Sequence, residues 1–102
     1  AGVHRVQDML QKEFDRPHDL NSLASTACMS PRNLTRLFKQ NTGMSVVQYQ
    51  QWVRVSALKK FLSNGAYSIE KASLAAGFGS ARHARYVWCK FEKGSIAAFR
   101  AG

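Results

Sequence analysis

An all-helical fold, made of two short helical pairs around one longer helix, is predicted by three observations. Asp19 to Tyr49 and Ser68 to Phe99 follow the same plan about fifty residues apart. Apolar residues recur at helical spacing in every segment, and serines stand where helices should begin. The first copy reads Cys28-Met29-Ser30-Pro31-Arg32-Asn33 through its turn, and the second reads Gly77-Phe78-Gly79-Ser80-Ala81-Arg82-His83. Two short helices joined by a few residues form a helix-turn-helix, whose second helix has the width of the DNA major groove. Two such copies predict a two-groove DNA reader.

Element by element, Val3, Val6, Leu10 and Phe14 give a first helix its apolar stripe, ending before Pro17. Asp19 caps a second helix in which Leu20, Leu23, Ala24 and Ala27 repeat at i, i+3, i+4 and i+7. Ile69, Ala72, Ser73 and Ala76 reproduce that spacing in the second copy. Ala24 and Ser73 match, and a small side chain there lets the crossing helix approach closely. Ser30 caps the next helix while Pro31 occupies its first turn, where a missing N–H costs nothing; Ser80 is the corresponding cap. The central helix is expected from Val46 to Ser63, opened by a Ser45/Gln48 capping box and terminated by Asn64-Gly65. Val46, Tyr49, Val53 and Ala57 form one apolar stripe on it, and Val55, Leu58 and Leu62 form another on nearly the opposite side. A helix apolar on two sides is expected to be held between two bodies. At 1.5 Å per residue it is a rigid spacer of about 27 Å, against about 34 Å for one DNA turn. The expected division is a first helix-turn-helix over 1–44, a linker helix over 45–64 and a second helix-turn-helix over 65–102.

Composition agrees. The 102 residues, 45% hydrophobic, suffice for a core without disulfide or metal, and the net charge is +9. No Asp or Glu occurs between Asp19 and Glu70, a stretch holding Arg32, Arg36, Lys39, Arg54, Lys59 and Lys60. Such a field favours a polyanion, nucleic acid before an acidic membrane. No apolar run approaches a membrane span and the start lacks a signal-peptide profile, so a cytoplasmic location is expected. Cys28 and Cys89 have no C-x-x-C spacing and read as reduced thiols. His4, His18 and His83 show no metal-ligand spacing, and no carboxylate pair, phosphate loop or nucleophile set is present. Neither enzyme activity nor a cofactor is expected.

The second helix of each pair carries the chemistry. Leu34, Leu37, Phe38 and Asn41 fall on one side of the first, leaving Arg32, Thr35, Arg36 and Lys39 on the other with Asn33 on the flank. Arginine can bond the O6 and N7 edge of guanine, threonine can bond a base or touch a thymine methyl, asparagine can reach adenine or the backbone, and Lys39 suits phosphate. In the second, Ala84, Val87, Trp88 and Phe91 face inward, and Arg82, Arg85, Tyr86 and Cys89 form the stripe. Lys71, Lys90 and Lys93 flank it, and free N–H groups after Ser30, Ser45, Ser80 and Ser95 suit phosphate. The candidate DNA-binding set is Ser30, Arg32, Asn33, Thr35, Arg36, Lys39, Ser80, Arg82, His83, Arg85, Tyr86 and Lys90. On charge alone such stripes are solvated faces; the repeat argues for DNA. Trp88 matches Phe38 and reads as core, Trp52 stays open between core and base stacking, and Cys89 reads as a tolerated small side chain rather than a redox sensor.

This plan resembles the DNA-binding domain of the AraC/XylS family of bacterial transcription regulators. The motifs that carry it are Met29-Ser30-Pro31-Arg32-Asn33-Leu34 with Arg36-Leu37-Phe38, Gly43-Met44-Ser45 and Tyr49, Arg54-Val55, and Ala76-Gly77-Phe78-Gly79-Ser80 with Phe99-Arg100. The resemblance covers nearly the whole chain. It implies an all-α, homeodomain-like fold of two tandem helix-turn-helix subdomains joined by a long linker helix, with each recognition helix in successive major grooves of a promoter operator. It places contacts on Arg32, Thr35, Arg36, Arg82, Arg85 and Tyr86. It also implies a regulatory domain N-terminal to this one, and RNA polymerase is a further partner to be expected, above all if the chain is an interaction module. The Ser-Pro-Arg-Asn and Gly-Phe-Gly-Ser-Ala wording is similar to the subgroup whose regulatory domain resembles class I glutamine amidotransferases.

The second copy departs from the family pattern. Ala84 stands where a large apolar residue is usual, Glu92-Lys93 replaces Phe-Gly, Ile96 replaces a proline, and Tyr86 replaces a frequent arginine. These changes are expected to remove packing volume and a donor, leaving a looser second module. Cys28 sits at a turn position where glycine is easier. The alternative function is a protein-interaction module of the same fold whose second half no longer reads bases.

Overall fold

The computed structural model describes residues 2–102, and among these seven helices follow one another: α1 Gly2–Lys12, α2 Leu20–Thr26, α3 Pro31–Thr42, α4 Val46–Leu62, α5 Ile69–Ala75, α6 Ala81–Phe91 and α7 Ile96–Ala101. The chain forms two compact units, Ala1–Gln50 and Gln51–Gly102, so that α4 contributes its first turn to one and the rest to the other. The expected first subdomain begins at Ala1, which lies outside the described residues.

In the first unit, α1 buries Val3, Val6 and Leu10, the stripe expected of it. Phe14 is not its fourth member: the helix ends at Lys12 and Phe14 lies half-buried in the turn beyond. His18 closes that turn, its Nε2 lying 2.8 Å from the Glu13 carbonyl. Asp19 caps α2 as expected, its carboxylate accepting from the Ser22 N–H at 2.8 Å. Leu23, Ala24 and Ala27 are buried, but Leu20 is 40% exposed, because the first residue after the cap starts the helix at its solvent edge. Leu34 and Phe38 bury α3, and Tyr49 meets Phe38 edge-on with centroids 5.3 Å apart. Tyr49 also receives a 2.6 Å hydrogen bond from Gln11, tying α1 to the start of α4. Asn41 is exposed rather than inward, since its amide donates to the Leu37 carbonyl of its own helix.

The Ser45/Gln48 capping box forms in both directions: the Gln48 N–H donates to Ser45 Oγ, and Gln48 Oε1 accepts from the Ser45 N–H. Along α4, Tyr49, Val53 and Ala57 of one stripe and Val55, Leu58 and Leu62 of the other are all buried, and Val46 is half-buried. The helix ends one residue before the expected Ser63. Gly65 is not a left-handed terminator; Asn64 closes the turn instead, its side-chain oxygen accepting from the Ala66 N–H.

In the second unit, Ser68 caps α5 and Ser80 caps α6, and Ala72, Ser73, Ala76, Ala84, Val87 and Trp88 are buried. The fully buried Ser73 hydroxyl is satisfied by the Ile69 carbonyl at 2.7 Å. Two of the departures do not loosen this unit as the sequence suggested. Ile96 is 2% exposed and adds an aliphatic side chain to the core. Glu92 is paired with Lys59 at 2.8 Å, and the same ammonium lies over the rings of Trp88 and Phe99. Replacing Phe-Gly also changes how the helix stops. Gly43 caps α3 directly in the left-handed region, whereas α6 ends on an extended Glu92 and the left-handed residue is Gly94, whose carbonyl accepts from the Trp88 indole. Ser95 then caps α7, a helix the sequence reading marked only by its first serine.

Candidate nucleic-acid interface

The turn before each recognition helix is built alike. After α2, the Ala27, Cys28 and Met29 N–H groups donate to Leu23, Ser25 and Ala24 carbonyls; after α5, those of Ala76, Gly77 and Phe78 donate to Ala72, Leu74 and Ser73. These bonds satisfy the carbonyls at the end of the first helix and reverse the chain within a few residues. A serine cap then opens the second helix, Ser30 Oγ accepting from Asn33 and Ser80 Oγ from His83, both at 3.1 Å. The inward side of α3 and α6 is pinned by burial, which fixes what the outward side presents.

On α3 the exposed side carries Arg32, Asn33, Thr35, Arg36 and Lys39. Arg36 Nη2 donates to Asn33 Oδ1 at 2.7 Å. The Thr35 hydroxyl spends its proton on the Pro31 carbonyl at 2.9 Å, so it can still accept but not donate elsewhere. Lys39 Nζ donates to the Gly43 carbonyl at 3.1 Å, covering a free carbonyl at the helix C-terminus. On α6 Arg82, His83, Arg85, Tyr86, Cys89 and Lys90 are exposed, Tyr86 at 64%. Lys90 Nζ sits 4.7 Å from the Tyr86 ring centre, and His83 lies edge-on against Phe78 at 5.7 Å. Each unit thus gathers the expected residues of its own copy on one helix face. Sequence reasoning missed the pairings within the faces, although the i, i+3 spacing of Asn33 and Arg36 and the i, i+4 spacing of Tyr86 and Lys90 were the available signals. Trp52 is 44% exposed on α4, away from both recognition helices in sequence. Among the described residues no group of three or more His, Cys, Asp or Glu side chains gathers to hold a metal, and no helix is long and apolar enough to cross a membrane.

Two units that each carry a capped, cation-faced second helix behind a tight turn define a tandem helix-turn-helix protein. Residues 23–102 match the family described as helix-turn-helix domain, and the chain belongs to that family as a DNA-binding domain of AraC/XylS type. It is 33% identical over 102 residues to the arabinose operon regulatory protein of Salmonella typhimurium strain LT2, covering 96% of this chain and 36% of that protein. The counterpart from Escherichia coli K12 is 33% identical over 88 residues, covering 86% and 30%. The chain therefore spans about a third of the length of these relatives. Its fold matches the DNA-binding domain of AdpA, a global transcriptional factor crystallised with a target DNA, with a TM-score of 0.90 at 27% identity over 98% of this chain and 90% of that one. A probable AraC family transcriptional regulator from Rhodopseudomonas palustris CGA009 matches with a TM-score of 0.81 at 26% identity, over 98% and 96%. The chain has the fold of sequence-specific DNA-binding transcription regulators.

Proposed function

We propose that the chain binds double-stranded DNA by placing α3 and α6 in successive major grooves of a promoter operator, and so regulates transcription. The observation that carries this reading is the repeated outward face: the same turn and serine cap present Arg32, Thr35 and Arg36 in one copy and Arg82, Arg85 and Tyr86 in the other. Arg32 and Arg36 suit guanine, Thr35 suits a base acceptor role or a thymine methyl, and Lys39, Lys90 and His83 suit phosphate, with Asn33 beside them. Ser30 and Ser80 act through the helix N-termini they cap. In this reading α4, 17 residues and about 26 Å long, is the linker helix between helix-turn-helix subdomains over 1–44 and 65–102. The reading includes a cytoplasmic location, where the DNA partner lies and where Cys28 and Cys89 stay reduced.

In this reading the domain works beneath an N-terminal regulatory domain and alongside RNA polymerase. The Ser-Pro-Arg-Asn and Gly-Phe-Gly-Ser-Ala motifs support a regulatory domain of the class I glutamine amidotransferase-like kind. A salt titration tests the DNA reading. If about six phosphates are neutralised, the affinity for duplex DNA falls with a log–log slope of about −5. A slope near zero contradicts it.

A further inference from the structure

We propose that Asn33 is a positioning residue: it holds the Arg36 guanidinium, and the base preference assigned to Arg36 depends on it without Asn33 touching a base. The inference rests on the reading of α3 as a recognition helix. Asn33 and Arg36 are one turn apart on the exposed side of α3, and Arg36 Nη2 donates to Asn33 Oδ1 at 2.7 Å. A guanidinium has donors and no acceptor, so the asparagine must turn its oxygen toward it; the amide orientation is chemically fixed by the partner. That choice has two consequences.

The first concerns Asn33. An asparagine that reads adenine accepts from N6 and donates to N7 with the same amide. Here the oxygen is engaged by Arg36, so the two-point adenine contact and the arginine contact compete for one atom. The second concerns Arg36. A long, exposed arginine samples many rotamers, and reading O6 and N7 of guanine requires one planar orientation. Holding one arm of the fork against Asn33 leaves the remaining N–H groups for a base edge and restricts the poses in which they are offered. The backbone beneath is fixed as well, because the Asn33 N–H is the donor that the Ser30 cap accepts. The cap, the asparagine and the arginine therefore form one chain from the turn to the reading group.

A double-mutant cycle read as base preference tests this. Arg36→Ala first identifies the base pair whose preference is lost. Asn33→Ala is expected to lower discrimination at that same pair about three- to tenfold, the effect of one net hydrogen bond. In the Arg36→Ala background it is expected to change nothing further. Asn33→Asp keeps the acceptor and loses the amide donor, so it is expected to preserve the preference while its charge weakens binding to all sequences alike. Preference lost at a different base pair, or losses that add in the double variant, would make Asn33 a direct reader and overturn the inference, as would undiminished preference in Asn33→Ala. A wild-type protein that prefers no sequence would overturn both the inference and the reading beneath it. A measurement without DNA stands beside these: the Arg36 Nε–Hε order parameter of the free protein is expected to fall in Asn33→Ala, and equal mobility in both proteins overturns the proposal.

Discussion

Cys28 and Gly77 hold the same place in the two turns. The N–H of each donates to the carbonyl three residues back, Ser25 and Leu74, at 3.0 Å, and both have positive φ, 57° for the cysteine and 97° for the glycine. Cys28 is the one non-glycine residue with positive φ among those described. A side chain in that region crowds the following carbonyl, and glycine does not.

Cys28→Gly should therefore raise stability, by about 0.5 to 1 kcal/mol once the greater freedom of glycine in the unfolded chain is set against the relieved strain. Gly77→Ala should do the reverse by about 1 kcal/mol. Urea unfolding of the two variants checks the pair, and a destabilised Cys28→Gly would show that the cysteine side chain makes contacts worth more than its strain.

Asp19 makes the cap of α2 sensitive to acid. The Ser22 backbone N–H, and then the Ser22 hydroxyl, hold its carboxyl below the usual aspartate value. A depressed folded value means that the cap stabilises fully above the unfolded value, about 3.9, and that this contribution is lost as pH falls through the lower folded value. Asn is also a good cap but does not titrate. Thermal melts from pH 7 down to pH 2 should show a shallower acid decline for Asp19→Asn than for the wild type.

Leu58 is fully buried on α4. Leu58→Ala should lower unfolding free energy by about 2 to 5 kcal/mol, and Leu58→Asp by more, because it leaves a charge without water or partner. Glu92→Gln should cost less than about 1 kcal/mol, since the Lys59 pair is partly exposed. Denaturation midpoints rank the three. Full stability in Leu58→Asp would contradict the burial of that side of α4.

The two recognition helices should contribute unequally. Arg36→Ala should remove about 1 to 3 kcal/mol of binding and relax preference at one or two base pairs. Tyr86→Ala should alter base choice less, because its helix turns the small Ala84 inward where α3 has Leu34. Preferences scrambled by Tyr86→Ala and left intact by Arg36→Ala would reverse that ranking.

What the sequence disclosed was what local rules govern. Asp19, Ser30, Ser45 and Ser80 each cap the helix expected of them, because a cap needs only its own backbone and the next turn. The buried stripes of α3 and α6 followed from periodicity, and the repeat exposed the shared turn. Tertiary consequences were less visible. Ile96 and Glu92 read as losses against the family pattern, yet one enters the core and the other meets Lys59, whose position no sequence spacing reveals. The Asn33–Arg36 pair is local, but spacing says only that two side chains can meet, not which atom each commits.

Selection of bound sequences from a random duplex pool tests the central claim most directly. Two helices reading successive major grooves should enrich one site with two elements whose centres lie about 10 to 10.5 base pairs apart, the α3 element being the more sharply defined. Enrichment of a single short element would contradict the role of α6, and no enrichment at all would contradict sequence-specific DNA binding by this chain.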